Sequence, residues 1–410
     1  MTMRFWQALP AAVVMLAACN QDTGDNRTAA IPGVDLENKV LSIGALNDES
    51  GPAAVLGKPY AVGKRLLAKQ INATDSGLLP PGWTLRLVER DHGYNPQKSV
   101  QLFNEIRDQI FFIATSFGTP NTLPLRPLLQ RYGITAFPAS LSSKMAEFPY
   151  TPPAAPSYKV EAMRAMDWAL EHNGGKTGFA PGIIYQQDDY GQDGLDAWRH
   201  AAAHHQVEIV SEQTYAPGQA DFTAAITALK KAGATHVMLT TLPSATGPVL
   251  GTAAQLEYAP IWIGNTPSWI DRFFDPEVIP PAVFDNFYWA MGSPFWGEDT
   301  PFVNEFTTLY QAFGREMAPP DFYMMLSYLQ GRIAIDIFRF MLESGGEISR
   351  AAYLKTLQSL DNYDADGAIP FKLSFAEMPY QVGTETRILK PKMAEASWEQ
   401  VAPFAEPESL

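Results

Sequence analysis

The chain has 410 residues, of which 46% are hydrophobic and 18% are charged. This length and apolar share suffice for two hydrophobic cores and exclude a wholly disordered chain. Acidic residues outnumber basic ones by 44 to 30, and the formal net charge of −14 argues against nucleic-acid binding because such a surface repels phosphate groups. The single cysteine excludes an internal disulfide and a cysteine-based metal cluster.

The N-terminus has the pattern of a secretory signal. Arg4 precedes an apolar stretch over residues 8–18, which is shorter than the roughly 20 residues that a membrane-spanning helix needs. The stretch ends in Leu-Ala-Ala-Cys at residues 16–19, which resembles the lipobox of bacterial lipoproteins. We therefore predict a signal peptide over residues 1–18, lipid attachment at Cys19, and a membrane-anchored protein in the periplasm or at the cell exterior. An ordinary signal with an incidental cysteine is the alternative.

After the signal, the chain passes through a polar segment into an alternation of strands and helices. Residues 19–38 are mostly polar or small and lack periodicity, which predicts a flexible tether. The alternation that follows is typical of parallel sheets joined by right-handed crossovers. The predicted strands comprise residues 40–46, 84–89, 111–115 and 134–137, and the predicted helices comprise residues 59–71, 96–107 and 122–131.

A proline-rich segment divides the alternation in two. Residues 148–156 contain four prolines, which fix φ and prevent helix, and so predict a connection between two bodies. Beyond this segment, the predicted helices comprise residues 158–172, 192–204, 222–231 and 245–256, and the predicted strands comprise residues 182–185, 207–214, 236–240 and 260–263.

The last part of the chain is predicted to return to the first body. An irregular stretch at residues 290–300 precedes two long helical patterns, residues 301–313 and 321–344, which no obvious run of new strands follows. We predict an α/β fold of two doubly wound parallel-sheet lobes that share a hinge of three crossings. Lobe 1 is predicted to comprise residues 39–152 and 291–363, and lobe 2 residues 153–290 and 364–402.

Polar loops follow several of the predicted strands. Ligands of α/β sheets bind outside the carboxyl ends of the strands, so two facing lobes would present these loops to one cleft. Each loop alone could be a helix cap, but together they favour a binding cleft. The loops comprise residues 47–52, 116–121, 138–143, 188–191, 241–244 and 264–266.

Short motifs in a fixed order point to a known family. They are Ile43-Gly44, Ser50-Gly51-Pro52, Gly57, Asn95-Pro96, Phe117-Gly118-Thr119-Pro120-Asn121, Asp189-Tyr190-Gly191 and the segment 221–233. With these motifs, residues 40–390 resemble the periplasmic solute-binding proteins of the leucine/isoleucine/valine type, which are receptors of ABC importers. The resemblance implies a type I periplasmic binding fold, a small-molecule solute captured between the lobes, and an ABC permease of the inner membrane as partner.

The resemblance also implies a set of ligand-binding residues. Thr119 with its neighbours, Ala139 and Ser140 match positions that grip a ligand carboxylate. Tyr190 matches an aromatic position of the cleft, and Tyr323 lies near another. The complete predicted set is Ser50, Gly118, Thr119, Asn121, Ala139, Ser140, Tyr190, Leu242, Thr266 and Tyr323.

Departures from the family narrow the expected ligand. Thr266 stands where the amino-acid binders carry an acidic residue for the ligand ammonium, and Leu56 and Leu242 stand at aromatic positions. Because burying an ammonium group without a counter-charge is costly, we expect a neutral or monoanionic, partly apolar carboxylate or amide in preference to an amino acid. Trp269 follows the same loop and either stacks on the ligand or packs elsewhere.

Signals for other chemistry are weak. The sequence lacks the Gly-x-Ser-x-Gly and His-Glu-x-x-His motifs, and we predict a non-enzymatic protein that needs no cofactor and no metal. One helix face carries a spacing that a metal could use, but we favour a solvated face for Asp196, His200 and His204. The alternatives are a ligand-sensing regulator on the same fold and, less favoured, a hydrolase that uses Asp188, Asp189 and His92.

Overall fold

Two β-sheets covered by helices organise the described part of the chain, which in this computed structural model comprises residues 31–73 and 76–410. The predicted signal peptide, Cys19 and most of the predicted tether lie outside the described residues. Within the described residues, no helix is both long enough and apolar enough to cross a membrane.

The strands and helices alternate along most of the chain. The strands are β1 (Val34–Asp35), β2 (Val40–Asn47), β3 (Thr84–Asp91), β4 (Ile113–Phe117), β5 (Ala136–Ala139), β6 (Pro181–Gln186), β7 (Ser211–Tyr215), β8 (His236–Thr240), β9 (Ile261–Gly264), β10 (Phe287–Met291), β11 (Thr386–Lys392) and β12 (Ser397–Ala405). The α-helices are α1 (Ala54–Ala73), α2 (Pro96–Ile106), α3 (Thr119–Thr122), α4 (Arg126–Tyr132), α5 (Ser143–Ala146), α6 (Tyr158–His172), α7 (Asp189–His204), α8 (Thr223–Ala232), α9 (Pro243–Gln255), α10 (Pro301–Leu309), α11 (Phe322–Glu343) and α12 (Arg350–Gln358).

The first sheet is the core of lobe 1. Strand β2 pairs in parallel with β3 and with β4, and β4 pairs in parallel with β5. Strand β1 pairs antiparallel with the beginning of β2, Val34 opposite Leu41 and Asp35 opposite Val40. The end of the predicted tether is therefore part of the lobe 1 sheet, because its backbone groups pair with β2.

The second sheet is the core of lobe 2 and has the strand order β12-β11-β10-β9-β8-β6-β7. The strands from β6 to β10 pair in parallel with one another, whereas β11 pairs antiparallel with both β10 and β12. We did not predict β10, β11 and β12 from the sequence. Strand β10 runs into the irregular stretch that begins at residue 290, and β11 and β12 carry a proline and several charged residues that obscure a strand pattern.

The long helix α11 belongs to lobe 1. It packs along α1 and contacts β4 and β5, so the chain has returned to the first lobe at this point. Gly63 allows the two helices to approach closely, since a Cβ atom there would lie 2.2 Å from the carbonyl oxygen of Met324. The segment after α12 also contacts lobe 1, where the Tyr380 N–H donates to the Ala146 carbonyl.

The fold class predicted from the sequence is confirmed, with local differences in the elements. The helix predicted over residues 122–131 is divided into α3, a tight turn at Leu123–Leu125 and α4, in a stretch where Pro124 and Pro127 lack the N–H that a continuous helix needs. The strand predicted over residues 207–214 begins only at Ser211, and helix α12 was not predicted.

Candidate functional site

A cavity lies between the two lobes, at the carboxyl ends of their parallel strands. Lobe 1 contributes residues that follow β4 and β5 and residues of α1 and α11, and lobe 2 contributes residues that follow β8 and β9. None of the described residues that line the cavity has a charged side chain. They are Leu56, Tyr60, Tyr94, Phe117, Gly118, Thr119, Pro138, Ala139, Ser140, Leu141, Ala154, Ala155, Tyr158, Tyr190, Leu242, Thr266, Pro267, Tyr323, Leu326 and Gln330.

The structure brings most of the predicted binding residues to this cavity. Ser50, in contrast, is exposed in the loop after β2, and Asn121 is buried behind Gly118. Gly118 has a φ of 87°, and a Cβ atom there would lie 2.7 Å from Asn121 Nδ2, so the loop requires glycine. The predicted residues that line the cavity are Gly118, Thr119, Ala139, Ser140, Tyr190, Leu242, Thr266 and Tyr323.

A pair of hydroxyl groups forms one polar part of the lobe 1 wall. Thr119 Oγ1 and Ser140 Oγ lie 2.7 Å apart, which joins the loops that follow β4 and β5. The Ser142 N–H donates to Ser140 Oγ over 3.2 Å and fixes that side chain. Each hydroxyl can donate one hydrogen bond and accept others, so the pair can hold a carboxylate or an amide group.

A fixed amide lies beside this pair. Gln330 on α11 donates from Nε2 to the Pro138 carbonyl over 2.7 Å, and its Oε1 accepts from Tyr60 OH over 2.9 Å. The ammonium group of Lys64 is fully buried and donates to the Ser327 carbonyl on α11. Burial lowers the pKa of Lys64 well below its ordinary value.

Tyrosines supply most of the remaining polar groups. Burial raises the pKa of each tyrosine that lines the cavity above its ordinary value, so all of them keep their hydroxyl protons at neutral pH. Tyr190 OH donates to Asn265 Oδ1 over 2.8 Å, and Tyr323 OH donates to the Thr266 carbonyl over 2.6 Å. The second bond connects α11 of lobe 1 to the loop after β9 of lobe 2.

A carboxylic acid that the sequence did not single out lies behind Thr266. Glu161 on α6 is fully buried and accepts hydrogen bonds from the Thr266 backbone N–H, over 3.0 Å, and from its hydroxyl. Burial raises the pKa of Glu161 to about 8, against the opposing effect of these hydrogen bonds. The group is therefore mostly neutral at pH 7, and Thr266 separates it from the cavity. Its only signal in the sequence is an acidic residue on the buried face of a predicted helix.

The residues of the hydrolase alternative form structural contacts. Asp188 caps helix α7 by accepting from the backbone N–H groups of Tyr190 and Gly191, and it also accepts from Tyr94 OH of lobe 1 over 3.2 Å. Asp189 forms an ion pair with Lys144, 3.3 Å away. The buried His92 accepts from the Tyr94 N–H through Nδ1, and burial lowers the pKa of His92 to about 4.

Trp269 packs in the protein interior and is not among the residues that line the cavity. It is fully buried, and Phe273, Phe274, Phe284 and Trp398 surround it with ring centroids 4.6 to 5.4 Å away. Its indole N–H donates to Asp271 over 3.2 Å. Of the two interpretations of this residue, core packing is correct.

The side chains of Asp196, His200 and His204 on α7 each make separate contacts. Asp196 accepts from Gln192 over 2.7 Å, and His200 Nε2 donates to the Ser409 carbonyl over 2.8 Å. His204 lies beside His205, with ring centroids 5.0 Å apart. The i, i+4, i+8 spacing on α7 thus does not gather these side chains at one point.

Comparison with known proteins identifies the family. The model of the periplasmic binding protein family matches residues 40–387. The chain belongs to the periplasmic binding protein family. This membership and the architecture confirm the family and the type I fold that the sequence motifs predict.

Solved structures of the same fold superpose on most of this periplasmic binding protein. A fatty acid ABC transporter substrate-binding protein from Thermomonospora curvata is 21% identical, with a TM-score of 0.84 over 92% of this chain and 95% of that chain. A branched-chain amino acid ABC transporter protein from Thermus thermophilus with bound valine is 20% identical, with a TM-score of 0.78 over 91% and 98%. A solute-binding protein from R. palustris in complex with 4-hydroxybenzoate is 16% identical, with a TM-score of 0.75 over 90% and 98%.

A curated relative matches over a shorter span. An amino acid binding protein from Pseudomonas aeruginosa is 26% identical over 223 residues, which are 51% of this chain. The match spans 55% of that relative's length, a little over half. At these levels of identity, the comparisons define the family and the fold and leave the solute to be inferred from the cavity.

Proposed function

We propose that this periplasmic binding protein captures a neutral or monoanionic, largely apolar organic solute and delivers it to an ABC importer. The observation that carries the proposal is the uncharged cavity wall, in which the Thr119–Ser140 hydroxyl pair is surrounded by apolar and aromatic side chains. Apolar walls favour an apolar ligand body, and the hydroxyl pair can donate to a carboxylate or amide oxygen. The proposed ligand class is therefore carboxylic acids and amides.

A zwitterionic amino acid suits this cavity less well. Its ammonium group would need an opposite charge at the wall, where no charged side chain lies among the described residues. Glu161 of lobe 2 lies behind Thr266, and burial raises its pKa to about 8. Two of the similar structures carry names or ligands that fit the proposed class, a fatty acid in one and 4-hydroxybenzoate in the other. Both compounds combine one carboxylate with an apolar body.

A thermal-shift screen of the purified protein tests the ligand class. The panel contains fatty acids, aromatic carboxylates, their amides, and aliphatic amino acids. A true ligand at a hundred times its dissociation constant should add about 2.7 kcal/mol to the free energy of unfolding. We expect stabilisation by carboxylates or amides with apolar bodies. A response confined to amino acids would contradict the proposal.

The hydroxyl pair should contribute directly to affinity. We expect Ser140→Ala to weaken binding of the best carboxylate by about 1–2 kcal/mol, because one hydrogen bond to a charged oxygen is lost. Isothermal titration calorimetry measures the change, and Ser50→Ala, in an exposed loop that does not line the cavity, is the matched control. Equal affinities of the two variants would place the carboxylate elsewhere in the cavity.

We further propose that diacylglycerol on Cys19 anchors the protein to a membrane on its extracytoplasmic side. The support is the Leu-Ala-Ala-Cys sequence at residues 16–19 and the absence of any other cysteine in the chain. Cell fractionation should find the wild-type protein with membranes and the Cys19→Ser variant in the soluble extracytoplasmic fraction. A variant that stays with the membranes would show that another feature anchors the chain.

A further inference from the structure

The last residues of the chain fold back onto the helix pair α6 and α7 in lobe 2. The Glu408 N–H donates to Asp167 Oδ2 over 2.8 Å, and His200 Nε2 donates to the Ser409 carbonyl over 2.8 Å. Ser409 is 3% exposed. These contacts hold the C-terminal segment beside the end of α7, where His204 and His205 lie.

Three potential metal ligands meet at this point. His204, His205 and Glu408 each offer one ligand atom, and these atoms all lie within 4.8 Å of one another. Ligands bound about 2.1 Å from a tetrahedral zinc ion are separated by roughly 3.4 Å, so modest side-chain rotations would complete the geometry. His204 and Glu408 are exposed and free to make them.

A buried carboxylate orients two of the three ligands. His205 Nε2 lies 2.6 Å from Asp167 Oδ1, and the two side chains are only 10% and 7% exposed. Because an ionised carboxylate only accepts hydrogen bonds, Nε2 carries the proton and the lone pair of Nδ1 is available to a metal. A carboxylate that fixes the tautomer of a histidine in this way is a recurrent feature of zinc sites. The other oxygen of Asp167 holds the backbone of Glu408.

We propose that His204, His205 and Glu408 form a Zn²⁺ site that joins the C-terminal segment to the end of α7. Two imidazoles and one carboxylate suit zinc, whereas Mg²⁺ and Ca²⁺ prefer oxygen ligands alone. The exposed position leaves room for water to complete the coordination. None of these residues lines the solute cavity, so a test of the zinc site does not depend on the proposed transport function.

Calorimetric titration of the full chain with Zn²⁺ alone, after treatment with a chelator, tests the site. The wild-type protein should bind one equivalent, and His204→Asn and Glu408→Gln should each remove most of this binding without loss of folding, since both side chains are exposed. His172→Asn, an exposed histidine at the end of α6 and outside the cluster, is the matched control and should bind zinc normally.

Asp167→Asn tests the positioning role. This variant keeps the three ligands but removes the carboxylate that fixes them, so zinc affinity should fall about ten- to a hundredfold. Zinc should also raise the melting temperature of the wild-type protein and not that of His204→Asn. The proposal is overturned if the wild-type protein binds no zinc. It is equally overturned if either His204→Asn or Glu408→Gln binds zinc as the wild type does.

Discussion

The buried side chain of Glu161 makes the free energy of unfolding of the protein depend on pH. Its folded-state pKa of about 8 lies above the ordinary value of 4.5 because the side chain is buried. Between these two values the folded state binds more protons than the unfolded state. The free energy of unfolding therefore falls as pH rises through this window, by at most about 1.4 kcal/mol per pH unit from this group.

Glu161→Gln should remove this dependence. The amide oxygen of glutamine can accept from the Thr266 N–H and its NH₂ group can donate to the Thr266 hydroxyl, as a protonated acid would. We expect the variant to match the wild type near pH 5 and to exceed its stability near pH 9, since only the wild type must then ionise a buried group. Chemical denaturation at both pH values measures the difference. Exposed Glu208→Gln is the control, and an equal loss of stability at both pH values would contradict the assignment.

At the scale of the elements, one side chain at the start of α12, that of Arg350, connects this helix to other segments of lobe 1. The guanidinium of Arg350 donates to four backbone carbonyls, those of Arg107, Ile110, Phe111 and Tyr132, over 2.6 to 3.2 Å. The first three carbonyls lie between α2 and β4, and that of Tyr132 belongs to the last residue of α4. A single residue thus connects α12 to the loop before β4 and to the end of α4.

Loss of this guanidinium should destabilise lobe 1. We expect Arg350→Met, which keeps an aliphatic stem, to lower the free energy of unfolding by about 2–4 kcal/mol because several part-buried carbonyls lose their donors. Urea denaturation measures the effect, and Arg315→Met, at an exposed position, should change stability by less than about 0.5 kcal/mol. A similar small change in both variants would mean that water replaces the donors of Arg350.

The elements that the sequence predicts well are those with strong periodicity between clear turns. The strands β2 to β6, β8 and β9 and the helices α2, α6 and α11 belong to this group. Strand β7, whose predicted beginning was wrong, and the elements β10 to β12 and α12 do not. The same distinction applies to the cavity. Thr119, Ser140 and Thr266 follow strands and are visible in the sequence as loop residues. Tyr60 and Gln330 reach the cavity from the middle of helices, and only the packing of α1 on α11 brings them there.

At the scale of the whole molecule, polar contacts join the two lobes around the cavity. Tyr94 of lobe 1 donates to Asp188 of lobe 2, the Ser143 N–H donates to Asp193 over 2.9 Å, and Ser244 donates to the Pro52 carbonyl over 3.2 Å. Each contact pairs a loop or helix end of one lobe with one of the other. The solute cavity is therefore bounded by groups whose pairing depends on the distance between the lobes.

The ion pair between Lys144 on α5 and Asp189 at the start of α7 offers a reversible test of this dependence. Both side chains are partly exposed, so the pair contributes at most about 1 kcal/mol to the approach of the lobes. Lys144→Glu replaces attraction by repulsion, and we expect it to weaken solute binding by up to about fivefold and to increase the radius of gyration of the ligand-free protein in small-angle X-ray scattering. The double variant Lys144→Glu/Asp189→Lys restores opposite charges and should recover both quantities. If it fails to do so while the single variant is impaired, Lys144 acts on the cavity by some route other than its pairing with Asp189.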